Sequence, residues 1–393
     1  MKKKYRLLYL ILAVFIVLAL VACGNGGSSN PSSGGNTPAP GGNSPAPGGS
    51  SPAPGGSSPA PGGNSPAPGG NSPAPDNTVY DFKWAEADSA GSGVAQVIDA
   101  WIEYVSQASN GRIKITAFYG GILGTNAEQL NMLETGSIDF AICGTGQIPG
   151  RYPFAQVFNI PSLKYETSYQ VAQAFEYMHQ TNDNMAKEIE TVKVIGYRAN
   201  GFTPLAHTGA PFTTVADMKG RLINVSSTAV AAYCESLGMI GVNVPLPQRY
   251  EALSKNTINA MTAEWLAMNS YSLYEVIDSI MDVHMTIQQN YVGMSWNAWN
   301  SLPADLQDIL MECGKRLAAD FSVVFTDATQ IGKDLCAKNN VTIYEPNAEI
   351  KAALAVAEEA GLKAYITDLE SKFDVDGAAY VAEAQAALDR FKP

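Results

Sequence analysis

The chain reads as an α/β protein of two lobes, built on mixed sheets with a long helix running between them. Three observations predict this. Short apolar runs alternate with amphipathic stretches through the globular part, the pattern of strands interleaved with helices. Residues 78 to 393 amount to 316 residues, more than one compact core holds. The C-terminal third carries a helical stripe too long for a single lobe.

The elements follow in order. Val79 to Ala85 reads as a strand. Val94 to Gln107 places Val94, Val97, Ile98, Trp101, Ile102 and Val105 at helical spacing, and Asn110-Gly111 stops it with a left-handed residue. Arg112 to Phe118 alternates as a second strand; Ala127 to Thr135 is a helix stopped by Gly136; Ile138 to Cys143 is a third, apolar strand. A strand-helix-strand-helix-strand unit puts a binding crevice at the carboxyl ends of its strands. Val192 to Tyr197 and Leu222 to Val225 read as strands, Ala229 to Leu237 as a helix, and Tyr271 to Tyr274 as part of another. Ala304 to Gln330 carries Leu306, Ile309, Leu310, Cys313, Leu317, Phe321 and Val324 on one stripe, with Pro303 fixing φ before the first turn.

Ahead of this part lies a different kind of chain. Lys2, Lys3, Lys4 and Arg6 precede an apolar run from about Leu7 to Ala22, and small residues then lead to Cys23: the n-region, h-region and cysteine of a lipoprotein signal over 1–22. The rival, a permanent membrane span, needs about 20 apolar residues and a charged stop, whereas no charge occurs from Gly24 until Asp76. Cys23 is therefore the expected lipid attachment (a palmitate-type acyl anchor), which holds the chain outside the cytoplasm on the cell membrane. From Thr37 the seven-residue unit Ser-Pro-Ala-Pro-Gly-Gly-Asn/Ser recurs five times, with a truncated sixth ending at Pro75. Pro-Ala-Pro stiffens each unit toward polyproline II and Gly-Gly softens each joint, so residues 23–77 form a spacer that buries no apolar surface. Its length points to a wall to cross and a Gram-positive owner.

Loss of the four signal-segment charges takes the formal net charge from −12 to −16, so nucleic acid is not an expected partner. Cys143, Cys234, Cys313 and Cys336 match no metal or redox spacing and read as free buried thiols. His179, His207 and His284 are scattered; His179 is expected to face solvent, and the other two either line the crevice or serve the core. There is no zinc pair and no nucleophile elbow. Gly144-Thr145-Gly146 follows a strand, but Pro149 falls where a dinucleotide fingerprint needs its third glycine. No cofactor, metal or catalytic residue is expected.

Six fragments in order then carry a resemblance. They are Gly120-Gly121-Ile122-Leu123-Gly124 with Glu134-Thr135-Gly136-Ser137-Ile138-Asp139; Ile148-Pro149-Gly150-Arg151-Tyr152-Pro153-Phe154 with Asn159-Ile160-Pro161; Ala216-Asp217-Met218-Lys219-Gly220; Pro245-Leu246-Pro247 with Tyr250-Glu251-Ala252-Leu253; Tyr274-Glu275-Val276; and Trp299-Asn300-Ser301-Leu302-Pro303. Over residues 78 to 335 the chain resembles the DctP-type extracytoplasmic solute-binding proteins of TRAP (tripartite ATP-independent periplasmic) transporters. The resemblance implies a periplasmic-binding-protein-like fold that captures a small organic acid between two lobes. It further implies delivery to TRAP permease membrane subunits driven by an ion gradient, with lobe closure as the physical event.

The chain departs from that family at its carboxylate grip. Where the family carries an Arg, whose planar fork holds a carboxylate with two hydrogen bonds, Gly220-Arg221-Leu222-Ile223-Asn224-Val225 has Asn224. A second family Arg falls on Thr203, and Asn256-Thr257-Ile258-Asn259-Ala260 lacks the family's glycines and aspartate. Arg151, Arg198 or Arg249 could replace the missing charge, while Asn224, donor and acceptor at once, also suits an amide or a neutral ligand. Arg249 stands beside Tyr250, and Arg151 has a second reading as a tie for its own loop. Tyr152, Phe154, Phe158, Trp265, Tyr291 and Trp296 are candidate pocket walls or core residues, with Trp265 beside Glu264 at the expected ligand-facing loop. The ligand-binding set so expected is Arg151, Tyr152, Asn224, Arg249, Glu264, Trp265 and Tyr291. Expected boundaries are lobe one at 78–205, lobe two at 206–290, and a helical remainder at 291–393 packing on both. A solute-binding lipoprotein of an ABC importer, a ligand sensor and a secreted surface enzyme remain the alternatives, the last disfavoured by the missing catalytic set.

Overall fold

Two mixed sheets organise the protein in the computed structural model, which describes residues 77–148 and 150–393. The signal segment, Cys23, the repeat and Pro149 lie outside the described residues. The chain runs β1 (Tyr80–Ala85), α1 (Gly93–Ala108), β2 (Ile113–Phe118), α2 (Asn126–Glu134), β3 (Phe140–Gly144), α3 (Ser168–Thr181), α4 (Asp183–Ile189) and β4 (Lys193–Ala199). It continues with β5 (Thr203–His207), β6 (Leu222–Asn224), α5 (Thr228–Ser236), β7 (Ile240–Val242), α6 (Arg249–Ser254), β8 (Ala260–Thr262), α7 (Trp265–Ser270) and β9 (Ser279–Thr286). Then come β10 (Gln289–Met294), α8 (Trp296–Ser301), α9 (Ala304–Gly314), α10 (Leu317–Lys338), β11 (Thr342–Tyr344), α11 (Ala348–Lys372) and α12 (Gly377–Arg390).

The first sheet has the order β2-β1-β3-β10-β4, and the second β11-β9-β5-β8-β6-β7. In the first, β1 runs parallel to β2 and β3 while β10 is antiparallel to β3 and β4. In the second, β5 is antiparallel to β8 and β9, and β6 is parallel to β7 and β8. The chain therefore changes sheets between β4 and β5, returns between β9 and β10, and changes again through α10 to β11.

Strands β3, β4, β5 and β10 are buried on both faces, which explains why β3 and β4 read as apolar runs without a polar side, while the edge strands β2, β7 and β11 keep exposed positions. Successive residues face opposite cores: Val194 and Tyr197 pack on one side of the first sheet, Ile195 on the other. In the second sheet Leu205, Ile223 and Met281 face one core and Ala206, Met261 and Ile280 the other. Within the first lobe Trp84 stacks on Phe140 with ring centroids 5.7 Å apart. Trp101 donates its indole N–H to the carbonyl of Cys313 at 2.9 Å, fastening α1 to α9.

Helix starts follow local capping chemistry. Thr125 and Glu128 close a reciprocal box at the start of α2, so two backbone donors with no intrahelical partner are satisfied. Asn110 after α1 adopts φ 53° and Gly136 after α2 φ 71°, the left-handed stops that the sequence calls for.

Two expectations are corrected. The stripe from Ala304 to Gln330 is two helices, α9 and α10, broken at Lys315-Arg316. Gly314 presses directly on β4: a Cβ there would fall far inside van der Waals contact with the carbonyl oxygen of Ile195. The second helix makes the crossing, with Phe321 and Phe325 in the core beside the first sheet and Cys336 in the core beside the second. Tyr271 to Tyr274 is not helical throughout; Tyr271 closes α7, Ser272 turns left-handed at φ 51°, and Leu273–Glu275 form one 3-10 turn.

Candidate solute-binding cleft

Because β1 and β3 are parallel neighbours, their carboxyl ends open on the same side. There they lead into Glu86-Ala87-Asp88 and Gly144-Thr145-Gly146-Gln147, where the strand-helix-strand rule puts a crevice. A partly open cavity of about 70 Å³ lies at this point. From the first sheet it is lined by Glu86, Asp88, Gly144, Arg198, Asn200 and Asn290; from α7 by Glu264, Leu266, Ala267 and Ser270, closed by Tyr271 and by Phe325 of α10. Gly144 lets the side chains of Gln288 and Asn290 close in on the backbone here, since a Cβ would meet them at 2.5 and 2.8 Å and displace them.

Arg198, next to last in β4, is 6% exposed, and its Nε and Nη1 have no hydrogen-bond partner. Phe321 and Phe325 flank the guanidinium, with ring centroids 4.8 and 5.7 Å from Cζ. A buried polar group without a partner is costly, so unspent donors on a cavity wall point to a ligand. Glu86 is 3% exposed; its Oε1 accepts from the backbone N–H of Asp88 at 3.1 Å, and its Oε2 has no partner. Burial, then the charge of Asp88, push the Glu86 carboxyl up to about 7, against the pull of Arg198. Burial likewise raises Asp88 and Glu264. Asn290 donates to Asn200 Oδ1 at 2.8 Å, and Asn200 donates to Glu264 Oε2 at 3.3 Å. This polar chain joins the first sheet to α7.

The expected ligand-binding residues are dispersed. Glu264 lines the cavity. Arg249 donates from Nε to the Val244 carbonyl at 3.0 Å and from Nη1 to the Thr262 carbonyl at 2.8 Å; burial lowers its pKa to about 10, partly offset by Glu264. Asn224 is buried and ties β6 to β8, its Oδ1 accepting from the Thr262 N–H at 3.0 Å. Trp265 is in the second-lobe core, with Lys333 Nζ 5.4 Å from its ring centroid. Arg151 pairs with Glu134 at 2.6 Å and donates to Thr191 at 3.1 Å, the loop tie of its second reading. Tyr152 and Tyr291 share a buried hydroxyl hydrogen bond of 2.7 Å in the first-lobe core.

Other candidates also take structural places. Phe154 and Phe158 are core residues, and Trp296 is 40% exposed and donates to the Glu190 carbonyl at 2.8 Å. Thr203 pairs with Thr286 between β5 and β9. His179, expected to face solvent, is only partly exposed and bonds the Tyr197 hydroxyl at 2.6 Å. His207 stacks on Phe212 and His284 on Phe202, both outside the cavity wall. All four described cysteines are free and buried. Among the described residues no group of acidic, histidine or cysteine side chains converges on a metal position. Glu86, Asp88, Asn200 and Asn290 were not foreseen; the signal for the first two was two acids placed directly after a strand whose end opens a crevice.

A family model described as bacterial extracellular solute-binding protein, family 7 (DctP), matches residues 85–368. The chain belongs to this family. Its relatives include a solute-binding protein of Sulfitobacter sp. (strain NAS-14.1), 22% identical over 55% of this chain and 66% of that one. Another is the 2,3-diketo-L-gulonate-binding periplasmic protein of Escherichia coli (strain K12), 23% identical over 53% and 64%. The chain thus spans about two thirds of the length of these relatives. Among solved structures, a marine metagenome TRAP solute-binding protein specific for aromatic acids, in complex with 3-hydroxybenzoate, superposes with a TM-score of 0.74 at 20% identity, covering 80% of this chain and 100% of that one. One from Rhodoferax ferrireducens T118 with copurified benzoate gives 0.73 at 22% identity, covering 80% and 98%. The two-lobed fold is shared with these neighbours, and the DctP family is one of solute-binding proteins rather than enzymes.

Proposed function

We propose that this chain is an extracytoplasmic receptor that captures a small organic acid in the cavity between its sheets and delivers it to the membrane subunits of an ion-gradient-driven TRAP permease. Arg198 is the carboxylate grip. The observation that carries this is its buried guanidinium on the cavity wall with Nε and Nη1 unspent. Asn224 and Thr203, at the positions where the family's arginines are expected, spend their side chains on strand-to-strand ties, and Arg249 donates to two carbonyls. Acid ligands in the neighbouring structures, 3-hydroxybenzoate and benzoate, agree with a carboxylate-holding site. In this reading the lobes divide near residues 205 and 290, and Cys23 with its spacer tethers the receptor to the outer face of the membrane.

The test is isothermal titration of the full-length chain and its Arg198→Gln variant against a panel of small carboxylates. A charge-assisted hydrogen bond lost from a buried site costs about 3 kcal/mol, or roughly 100-fold in affinity. Carboxylate affinity that survives Arg198→Gln, in a variant of unchanged melting temperature, would move the grip elsewhere.

A further inference from the structure

We infer that the cleft takes a zwitterion, an organic acid that also carries a protonated amine, with the carboxylate on Arg198 and the ammonium among Glu86, Asp88 and Glu264. This rests on the reading of Arg198 as the carboxylate grip and names the ligand class that the same cavity selects.

The first support is the charge of the wall. Three carboxylates and one guanidinium line the cavity, and the nearby Arg249 is already engaged with the Val244 and Thr262 carbonyls. Burial raises all three acids, and a plain monoanion would hold them protonated or add a further negative charge where low dielectric makes repulsion strong, whereas an ammonium beside them favours their ionised form. A zwitterion adds no net charge.

The second support is the separation of the unsatisfied groups. Glu86 Oε2 is buried without a partner, and so are Arg198 Nε and Nη1; Arg198 acts on Glu86, Asp88 and Glu264 as an opposing charge through space, without a hydrogen bond to any of them. Opposite charges that served only to neutralise each other would be in contact. Held on one cavity wall with their hydrogen-bonding capacity unspent, they present an acceptor and a donor to two ends of one small molecule. The partial engagement of the other acids fits this: Glu264 already accepts from Asn200, whereas Glu86 keeps one whole oxygen free.

Carboxylates also accept from hydroxyl groups, so the decisive comparison is between ligands that differ only there. Titrations of the full-length chain would use three isosteric pairs: lactate and alanine, malate and aspartate, mandelate and phenylglycine. The expected result is an amino member that binds roughly 10- to 100-fold tighter than its hydroxy twin in at least one pair, the range of a charge-assisted hydrogen bond over a neutral one. Glu86→Gln should reduce that preference by about tenfold, and Asp88→Asn should reduce it in the same direction, which covers the case where one variant folds poorly. Hydroxy acids that bind as well as or better than their amino twins overturn the inference and leave the acid receptor standing. Failure of every pair, or carboxylate affinity indifferent to Arg198→Gln, overturns the acid-grip reading and the inference together.

Discussion

Replacing Glu86 by glutamine isolates one proton in the cleft. Glu86 is 3% exposed, and its carboxyl sits at about 7 against an ordinary 4.5, raised first by burial and then by Asp88, with Arg198 opposing. Tyr119, Tyr271 and Cys143 sense its charge, but burial raises all three and they stay protonated through neutral pH. The sign follows from proton counts. Between pH 4.5 and about 7 the folded chain holds a proton on Glu86 that the unfolded chain has lost, so stability falls as pH rises through that window. The displacement corresponds to about 3 kcal/mol, fully present below pH 4.5 and gone above about 7. Glutamine keeps the shape and cannot ionise. The stability of Glu86→Gln minus that of the unchanged chain should therefore climb by about 3 kcal/mol from pH 4.5 to 8, read by urea denaturation without ligand. Glu188 also rises to about 7 through burial, while accepting from the N–H groups of Phe154 and Ala155; it contributes the same slope to both proteins and cancels in the difference. A difference curve that stays flat, or that falls with pH, would refute the assignment of a buried, proton-holding Glu86.

Two further outcomes are expected. Gly314→Ala drives a methyl into the Ile195 carbonyl where α9 meets β4, and should cost about 3 kcal/mol by overpacking against backbone that cannot yield; a melting temperature within a degree of the unchanged chain would show that the helix can lift off the sheet. Cys23→Ser should release the protein from the membrane fraction into the medium, because acyl burial is the proposed anchor; retention after the substitution would return residues 7–22 to the reading of a membrane span.

Periodicity carried four strands of the first sheet and missed the fifth, β10, which fell at the start of the stretch read as a helical remainder. The strands before α1, α2 and β4 and the helices between them are all apolar at the spacing their structure needs, and the parallel order of β1 and β3 makes the crevice position a consequence of topology alone. It could not see the break between α9 and α10, since the stripe stays in phase across Lys315-Arg316 and the cause is a contact between Gly314 and Ile195, far apart in sequence. The cleft was harder for the same reason. Six of the seven residues of β4 are buried, so alternation does not tell which side chain opens onto a cavity; Arg198 stood in the sequence as one of three substitutes and nothing local ranked it. Trp265, Tyr152 and Tyr291 show the opposite limit. An aromatic near a strand end has the composition of a pocket wall, and only packing distinguishes that from the core in which each of them lies.

On the proposed reading the grip sits on β4 instead of β6, which changes what ligand capture does mechanically. An arginine at Asn224 would belong to the second sheet, whereas Arg198 lies in the first, at the last strand before the chain crosses over. Glu86 and Asp88 follow β1, so the guanidinium and two of the three carboxylates are fixed to one sheet, and Glu264 alone comes from the α7 side. A ligand can shift the relation of two bodies only by as much as its contacts differ between their arrangements. With the strongest charges on one sheet, affinity is set mainly there, and the coupling to the other lobe is left to Glu264 and to Asn200, which already joins it to Asn290. A solute whose cationic end reaches Glu264 draws on both lobes; an acid held by Arg198 alone draws mostly on one. In the proposed zwitterion the ammonium would therefore do more than balance charge, because it would make occupancy of the site depend on α7 being in place.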